Sequence, residues 1–427
     1  MAFALFLLVA ASLTPTAAVA DANLSAVLDA VALDISSRYN CSVAMSFISA
    51  EQMVLGAAGF TDAGLNLGHR TRRARPDDVY VWGSTTKMFT GAAVLRLLDA
   101  GKLRLTDPIP MHIDPFLLHA NGTKLEDHFG PAIKEVTVGM LLHMTSSITD
   151  YDYPPYTVAQ FADRGHDFAP IEILSRFVPA LNTSGPAPGT QQDYCSTNYI
   201  LLGLLLTSHS KPAAGGAWTW QSYSQRDVVP PTLRPGFGRS TFVDAGRCSA
   251  FTPVHGFLQH YDGMDLPAQD VWNVSCTGGW TAGNYVGPVE DVARFTWELY
   301  RPGGTVVSAA AQRHLTNFTP PSPSPFSWYG MGTFDLGWSI GGNLSAWGHV
   351  GDTYGYQSQT TYFPARPGVE GFALAVATNV ETTNQAQPAD ATCHAYHALV
   401  AAMSGTPPPR CHFTVPHHFI GRCTCVP

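Results

Sequence analysis

Two stretches of the sequence place a serine three residues before a lysine: Ser84 with Lys87, and Ser208 with Lys211. Residues three apart share one face of a helix, so the lysine can hydrogen-bond to the serine hydroxyl and help it attack a carbonyl group. Ser84 follows a strand-like run and opens a long amphipathic segment, whereas Lys211 is followed at once by Pro212, which stops a helix. The sequence therefore favours Ser84 as a nucleophile. The alternative is a helix-capping serine beside a solvated lysine.

A third serine, Ser339, lies in the segment Gly-Trp-Ser-Ile-Gly, which matches the nucleophile elbow of α/β-hydrolases. An elbow requires a helix directly after the serine, but Gly342, Asn343 and a second strand-like run follow here. We therefore interpret this segment as a chance match. The sequence also lacks a His-Glu-Xaa-Xaa-His pattern or a comparable cluster, so we expect chemistry without a metal or another cofactor.

The hydrophobic pattern indicates the elements that would hold Ser84. A helix and two strand-like runs precede it, and the helical segment that it opens ends at Gly101. Strand-like runs return from Phe334 onward, a helix over 386–403 closes the pattern, and the middle of the chain is irregular and mainly helical. This order predicts an α+β fold, in which one antiparallel sheet flanked by helices is assembled from distant segments, with an inserted, mainly helical lobe.

Several features of the sequence predict secretion. The first twenty residues are apolar and end in Ala18-Val19-Ala20, a small-residue cleavage site; the alternative is a membrane anchor, because no basic residue precedes the apolar stretch. Eight cysteines fit disulfides in an oxidising compartment. Seven of the twelve asparagines lie in glycosylation sequons: Asn23, Asn40, Asn121, Asn182, Asn273, Asn317 and Asn343. We expect a soluble extracellular glycoprotein without stable membrane insertion once the signal peptide is removed.

Charge and domain organisation narrow the class further. Charged residues make up only 13% of the chain and the net charge is -8, without a basic run, which argues against a nucleic-acid partner. We expect a signal peptide over 1–20, one domain over 21–403 and a tail over 404–427. The α/β lobe of the domain would come from about 21–106 and 278–403, and the helical lobe from about 107–277. Three cysteines of the tail, Cys411, Cys423 and Cys425, favour a disulfide-stapled tail over a metal site.

The segment around Ser84, VWGSTTKMFTGAAVLRLLDAGKLRLTDPI, resembles the nucleophile segment of class C β-lactamases, DD-carboxypeptidases and their esterase and peptidase relatives. Four further segments are similar to those of the family and follow in the same order: VTVGMLLHMTSSITDY, PGTQQDYCSTNYILLG, TGGWTAGNYVGPVEDVARF and WGHVGDTYGYQSQTTYFP. The similarity extends over about 24–403. It implies a β-lactamase/transpeptidase-like fold and a serine hydrolase that forms an acyl-enzyme.

The resemblance also implies catalytic roles. Ser84 would be the nucleophile, and Tyr194 would move protons as a phenolate stabilised by the positive charge of Lys87. The alternative makes an uncharged Lys87 the base, and both assignments stay open. The backbone N–H groups of Ser84 and Asp352 would form the oxyanion hole.

Four residues are expected by the same resemblance to bind substrate. His349 would orient the substrate or assist proton transfer, and as an imidazolium it would hold anionic substrates until the pH rises through its pKa. Gly351 would let a substrate carbonyl approach closely because it has no side chain. Ser196 stands where the family has an asparagine, and Asp352 stands where small neutral residues are usual; the acid should repel substrates that carry a carboxylate nearby.

These two departures make a peptidase or esterase on small substrates a better hypothesis than a β-lactamase. The alternative function is a catalytically inactive family member that binds a peptide-like or small-molecule ligand. The sequence carries no signal of an oligomeric state.

Overall fold

The computed structural model describes residues 23–62, 72–212, 216–261, 264–318, 328–341, 344–381 and 386–412. The signal peptide predicted for 1–20 and the cysteines Cys423 and Cys425 lie outside the described residues. Twelve strands are described: β1 Val43–Ile48, β2 Met53–Ala58, β3 Val79–Val81, β4 Thr241–Phe242, β5 Phe257–Tyr261, β6 Met264–Asp270, β7 Tyr285–Pro288, β8 Phe334–Asp335, β9 Trp347–Thr353, β10 Tyr356–Phe363, β11 Phe372–Thr378 and β12 Val380–Glu381. Eleven α-helices are described: α1 Leu24–Tyr39, α2 Thr86–Asp99, α3 Ile109–Asn121, α4 Leu125–Phe129, α5 Val138–Leu142, α6 Pro154–Ala162, α7 Pro170–Phe177, α8 Ser196–His209, α9 Val289–Tyr300, α10 Ala309–Leu315 and α11 Gln387–Ser404.

The main sheet has six antiparallel strands in the order β2-β1-β11-β10-β9-β8. The N-terminal hairpin thus joins strands from the other end of the chain, with Val43 opposite Thr378. The predicted antiparallel sheet built from distant segments is confirmed.

Helices cover both faces of this sheet. Thr360 of β10 hydrogen-bonds through its hydroxyl to Thr296 of α9 (2.7 Å), whereas Phe363, three positions later, packs on Tyr396 of α11. Since successive side chains of a strand point to opposite faces, α9 and α11 lie on opposite sides of the sheet. The burial of β10 and β11 on both faces explains why these strands contain few charged residues.

Helices α3–α8 form the inserted helical region, and α8 is its centre. Twelve of the fourteen residues of α8 are buried, so its apolar side chains face neighbours all round. Helix α8 begins at Ser196 and packs against α2, α3 and α5. It therefore connects the segment that carries Tyr194 and Ser196 to the helix that follows Ser84.

Two small sheets were not predicted. One contains β3, β7 and β4, and the other contains β12, β5 and β6. Strands β5 and β6 fall in a stretch for which the sequence analysis predicted mainly helix; their mixed polar pattern over short lengths gave no clear strand period. Within the described ranges, no helix combines the length and the apolar character needed to cross a membrane.

Candidate active site

Ser84 lies in a single 3₁₀ turn, Gly83–Thr85, that leads directly into α2. Gly83 has φ +52°, a left-handed conformation that glycine adopts without steric cost. A Cβ atom at this position would lie 2.5 Å from the carbonyl oxygen of Asp352. Glycine is therefore needed here for two reasons: the backbone turns sharply before Ser84, and strand β9 approaches that turn closely.

Lys87 reaches back along α2 to the serine. Its Nζ donates hydrogen bonds to Ser84 Oγ and to the carbonyl oxygen of Ala282, each at 2.9 Å. Lys87 is only 1% exposed, and a buried ammonium group is costly unless its N–H groups are bonded. The nitrogen also lies 5.1 Å from the ring centroid of Tyr194 and 5.8 Å from that of Tyr199, where the aromatic quadrupole favours positive charge. The predicted contact between Lys87 and Ser84 is present in the structure.

Ala282 is a functional position that the sequence analysis did not single out, because a backbone carbonyl carries no residue-type signal. It follows a turn in which Gly278 and Gly279 have φ +48° and +73°. A Cβ atom on Gly279 would lie 1.6 Å from the hydroxyl oxygen of Tyr151, so this position accepts only glycine. The double-glycine turn thus aims the Ala282 carbonyl at Lys87.

A disulfide anchors the segment that enters this turn. Cys276, two residues before Gly278, is bonded to Cys248. Both cysteines line the cleft that contains Ser84. The disulfide therefore restrains the wall of the cleft and the approach to the turn that holds Lys87.

Tyr194 lies two residues before the start of α8 and is half-buried. Its ring stacks on Phe334 (5.5 Å between centroids) and on Trp328 (6.4 Å). The Lys87 nitrogen therefore lies between the Tyr194 ring and Ser84 Oγ, while Tyr194 itself is not among the described lining residues of the cleft.

His349 is placed differently from what its expected role requires. The side chain is fully buried, its ring lies 4.6 Å from that of Phe334, and it does not belong to the described cleft lining. Its Nδ1 donates to the carbonyl oxygen of Val350 (2.5 Å), and its Nε2 lies within hydrogen-bond distance of the Tyr329 hydroxyl (3.0 Å). Burial, reinforced by the nearby charge of Lys87, lowers the pKa of His349 well below its ordinary value. The imidazole is therefore neutral at neutral pH and does not offer the positive charge that the sequence analysis expected for anionic substrates.

Gly351 also serves a different purpose from the expected one. A Cβ atom at this position would lie 1.9 Å from the carbonyl oxygen of Trp82 and 2.3 Å from Ser358 Oγ. The space above Gly351 is thus filled by the segment that precedes Ser84. The missing side chain lets β9 pack against the nucleophile turn, whereas the expectation assigned that space to a substrate carbonyl.

The cleft beside Ser84 encloses about 580 Å³ of space, counting the solvent at its open mouth. Ser196 and Asp352 line it, as the sequence analysis expected of substrate-binding residues. Asp152, which the sequence analysis did not name, lines it as well. Five tyrosines contribute most of its aromatic surface: Tyr151, Tyr156, Tyr261, Tyr354 and Tyr356.

The other serine patterns lie outside this cleft. Ser339 is fully buried in a 3₁₀ turn that ends at Gly341, and its hydroxyl donates to the carbonyl oxygen of Leu336 (2.8 Å). Ser208 lies in the last turn of α8, which ends at His209 before Lys211. Among the residues that the structure describes, neither serine has a lysine or another base arranged as Lys87 is beside Ser84.

Two further cysteine positions bear on the expectations from sequence. Cys195, beside Tyr194, is a buried thiol whose sulfur donates to the carbonyl oxygen of Ile148, and burial raises its pKa well above the ordinary value, so it packs as a small apolar residue. Cys411 of the tail is bonded to Cys393 of α11. Asp390 and His394 lie close to Cys411, but a disulfide sulfur is not a thiolate ligand for a metal.

Comparison with known proteins shows the family of this chain. The family model described as "Beta-lactamase" matches residues 42–399, which is most of the chain. The chain belongs to the beta-lactamase family. The segments that carry Ser84, Tyr194, the double-glycine turn and β9 all fall within the matched region.

Individual relatives of this beta-lactamase family protein include penicillin-binding protein 4 of Amycolatopsis lactamdurans, which is 28% identical over 315 residues, covering 71% of this chain and 72% of that protein. Protein flp of Staphylococcus aureus is 29% identical over 153 residues, and this match spans only 26% of the length of flp.

Among solved structures, a D-amino acid amidase from Ochrobactrum anthropi SV3, complexed with L-phenylalanine amide, superposes with a TM-score of 0.66 at 17% identity, covering 88% of this chain and 98% of that one. A D-stereospecific amidohydrolase from Streptomyces sp. superposes with a TM-score of 0.62 at 20% identity, covering 90% and 99%. These structures confirm the β-lactamase/transpeptidase-like fold.

Proposed function

We propose that this protein is a secreted serine hydrolase that forms an acyl-enzyme on Ser84 and cleaves an amide or ester bond. The observation that carries the proposal is the 2.9 Å contact between Lys87 Nζ and Ser84 Oγ at a cleft. A structural lysine would be expected to reach solvent or an acid, whereas Lys87 is buried and directed at a hydroxyl group.

The reaction begins with the attack of Ser84 Oγ on the substrate carbonyl carbon. The hydroxyl proton passes to Lys87 or Tyr194, and the negative charge on the carbonyl oxygen is stabilised by the backbone N–H groups of Ser84 and Asp352. The contact between Gly83 and the backbone of Asp352 supports this assignment, because it brings these two segments together. The leaving amine or alcohol takes up the proton, and water then hydrolyses the acyl-enzyme by the reverse sequence of proton transfers.

The two partners of Lys87 suit either protonation state. As an ammonium group it donates to both Ser84 Oγ and the Ala282 carbonyl oxygen. As a neutral amine it keeps one N–H for Ala282 and presents its lone pair to the Ser84 hydroxyl, which then becomes the donor. The Ala282 carbonyl thus orients the amine throughout the proton transfer.

Amide substrates are favoured over lactams. Ser196 and Asp352 depart from the pattern of the lactam-hydrolysing relatives, and the solved relatives include amidases, one of them with an amino acid amide bound. We propose small amino acid amides, esters or short peptides as the substrate class.

Two observations support secretion: the exposure of the asparagines in glycosylation sequons, and the presence of disulfides. The six sequon asparagines in the described residues are all exposed, as glycosylation requires, and Asn343 lies outside them: Asn23, Asn40, Asn121, Asn182, Asn273 and Asn317. The bonds Cys248–Cys276 and Cys393–Cys411 fit an oxidising compartment. Expression in a secretory eukaryotic host tests this: we expect a protein in the medium that begins after Ala20 and loses mass on deglycosylation.

The test of the chemistry is intact-mass analysis of the deglycosylated protein after incubation with a fluorophosphonate and, separately, with a penicillin. We expect one fluorophosphonate adduct on the wild type and on the control Ser208→Ala, and none on Ser84→Ala. Absence of any adduct on folded wild-type protein would overturn the proposal in favour of a non-catalytic binding protein.

A further inference from the structure

The cleft beside Ser84 carries more negative than positive formal charge. Among the described lining residues, the charged side chains are Lys87, Asp152 and Asp352. A protonated Lys87 leaves one net negative charge on the wall, and a neutral Lys87 leaves two. The lysine is also committed to the reaction centre, because its nitrogen bonds Ser84 Oγ and the Ala282 carbonyl oxygen.

Asp152 lies within the aromatic wall of the cleft. The Tyr261 hydroxyl donates to its two carboxylate oxygens, at 3.1 and 3.3 Å. Burial, together with the charge of Asp152, raises the pKa of Tyr151, Tyr156 and Tyr354 far above the ordinary value, so these phenols stay neutral. The wall therefore combines a carboxylate with the π faces of neutral rings, two features that attract a cation.

Asp352 is the second acidic residue of the cleft lining. Its backbone lies against Gly83, the residue before Ser84. A group held by this residue would therefore lie near the nucleophile turn, within a few bonds of the carbonyl carbon that Ser84 attacks. An amine on the carbon next to that carbonyl has this reach.

We propose that Asp152 and Asp352 make the cleft selective for substrates with a free ammonium group beside the scissile carbonyl, namely amides, esters or peptides with an unblocked amino terminus. The inference rests on the proposed function and assigns its substrate class. Substrates with a carboxylate at this place are repelled by the same two residues. An opposite charge within about 4–6 Å shifts the equilibrium of a charged group by about one to three pKa units, so the preference should be about tenfold or more.

The experiment measures binding to Ser84→Ala, which does not require turnover. The probes are phenylalaninamide, which carries the ammonium group, and N-acetylphenylalaninamide, which does not, each as both enantiomers. Isothermal titration should give a dissociation constant about tenfold or more lower for the charged amide of the preferred enantiomer. Equal or tighter binding of the acetylated amide would overturn the proposal, and so would the absence of binding by either charged enantiomer at millimolar concentration.

Variants in the Ser84→Ala background assign the effect to the two acids. Asp152→Asn and Asp352→Asn should each reduce the ratio of the two dissociation constants severalfold, and Asp152→Glu should retain most of it because it keeps the charge. The matched control is Asp265→Asn, which makes the same chemical change at a side chain that is 92% exposed and outside the cleft lining; its ratio should not change. Melting temperatures identify any variant that loses its fold. A ratio that survives in folded forms of both asparagine variants would contradict the assignment.

The proposed function can fail or stand independently of this result. Fluorophosphonate labelling of wild-type Ser84, combined with preferential binding of the acetylated amide, would leave the hydrolase in place and remove the charge selectivity. Selective binding of the ammonium form without fluorophosphonate labelling would support the proposed recognition site and contradict the proposed hydrolase activity.

Discussion

The same four-residue pattern occurs at opposite ends of two helices, and only one copy has acquired the surroundings for chemistry. Ser84 lies in the turn that leads into α2, and its lysine is buried between the serine and the Ala282 carbonyl. Ser208 closes α8, and its lysine lies after the helix end, exposed and 5.1 Å from the ring of Trp218. The comparison teaches that the pattern acquires its meaning from two distant segments: the double-glycine turn that presents the Ala282 carbonyl to Lys87, and strand β9, which packs on the nucleophile turn.

The largest expected difference between the two copies is in activity. Ser84→Ala and Lys87→Ala should each lower kcat/KM by at least about a thousandfold, because the nucleophile and the lysine that contacts it act as a unit. Ser208→Ala and Lys211→Ala should change it by less than about twofold. Steady-state kinetics on a chromogenic amide or ester, with circular dichroism to verify the fold, measures both. A comparable loss of activity in Ser208→Ala or Lys211→Ala would contradict the conclusion that only the first pattern is catalytic.

The close packing of β9 on the nucleophile turn should produce the next largest effect. Gly351→Ala places a methyl group where the Trp82 carbonyl oxygen lies, so one of the two segments must move. We expect a loss of about 3 kcal/mol in the free energy of unfolding, together with reduced labelling of Ser84. Gly236→Ala is the control, because its Cβ would meet no atom within 4 Å. Urea unfolding of both variants measures the difference, and equal stability would contradict the packing role.

The two disulfides separate stability from function. Replacing Cys248 and Cys276 by serine should lower the free energy of unfolding by about 3 kcal/mol and also lower kcat, because the wall of the cleft and the turn before Ala282 lose their anchor. The same replacement of Cys393 and Cys411, on α11 and the tail, should lower stability without changing kcat of the folded protein. If both double replacements lower kcat by the same factor, the Cys248–Cys276 disulfide does not support the position of Lys87 specifically.

The smallest effect concerns a buried acid that supports α2 indirectly. Asp291 accepts a hydrogen bond from Ser240, which also bonds the Tyr285 hydroxyl, and the ring of Tyr285 stacks on Phe89 of α2. Burial raises the pKa of Asp291 from 3.8 to about 6. Because the pKa of Asp291 is higher in the folded than in the unfolded protein, protonation of this carboxyl group favours the folded state. Its contribution to the free energy of unfolding is fully present below pH 3.8 and is lost as the pH rises through about 6.

Asp291→Asn should therefore stabilise the protein by about 2 kcal/mol at pH 8, with the gain disappearing towards pH 4, and should leave kcat nearly unchanged. Thermal unfolding of both proteins over this pH range measures it. A constant difference across the range would show that the carboxyl group does not titrate as stated.

How much could be predicted from the sequence depended on whether the signal was local. The placement of Ser84 at the N-terminal end of a helix and its contact with Lys87 followed from helix spacing and from the preceding strand, although Ser84 lies in a 3₁₀ turn and α2 begins at Thr86. The roles of His349 and Gly351 did not, because strand alternation does not specify which element will cover each face. The positions of Ala282 and Asp152 in the site were missed for other reasons: Ala282 contributes a backbone carbonyl, and Asp152 is held by Tyr261, a residue distant in sequence.

The pairing of β1 with β11 has a consequence for how the chain matures. The ribosome releases the N-terminal hairpin long before Phe372–Thr378 is synthesised, and at about 5–20 residues per second the delay lasts tens of seconds. During this time the hairpin has no partner for its inner edge, and strand β9 has not yet reached the turn before Ser84. The site around Ser84 therefore stays incomplete during most of synthesis. It can form only after the C-terminal strands of the main sheet have been synthesised.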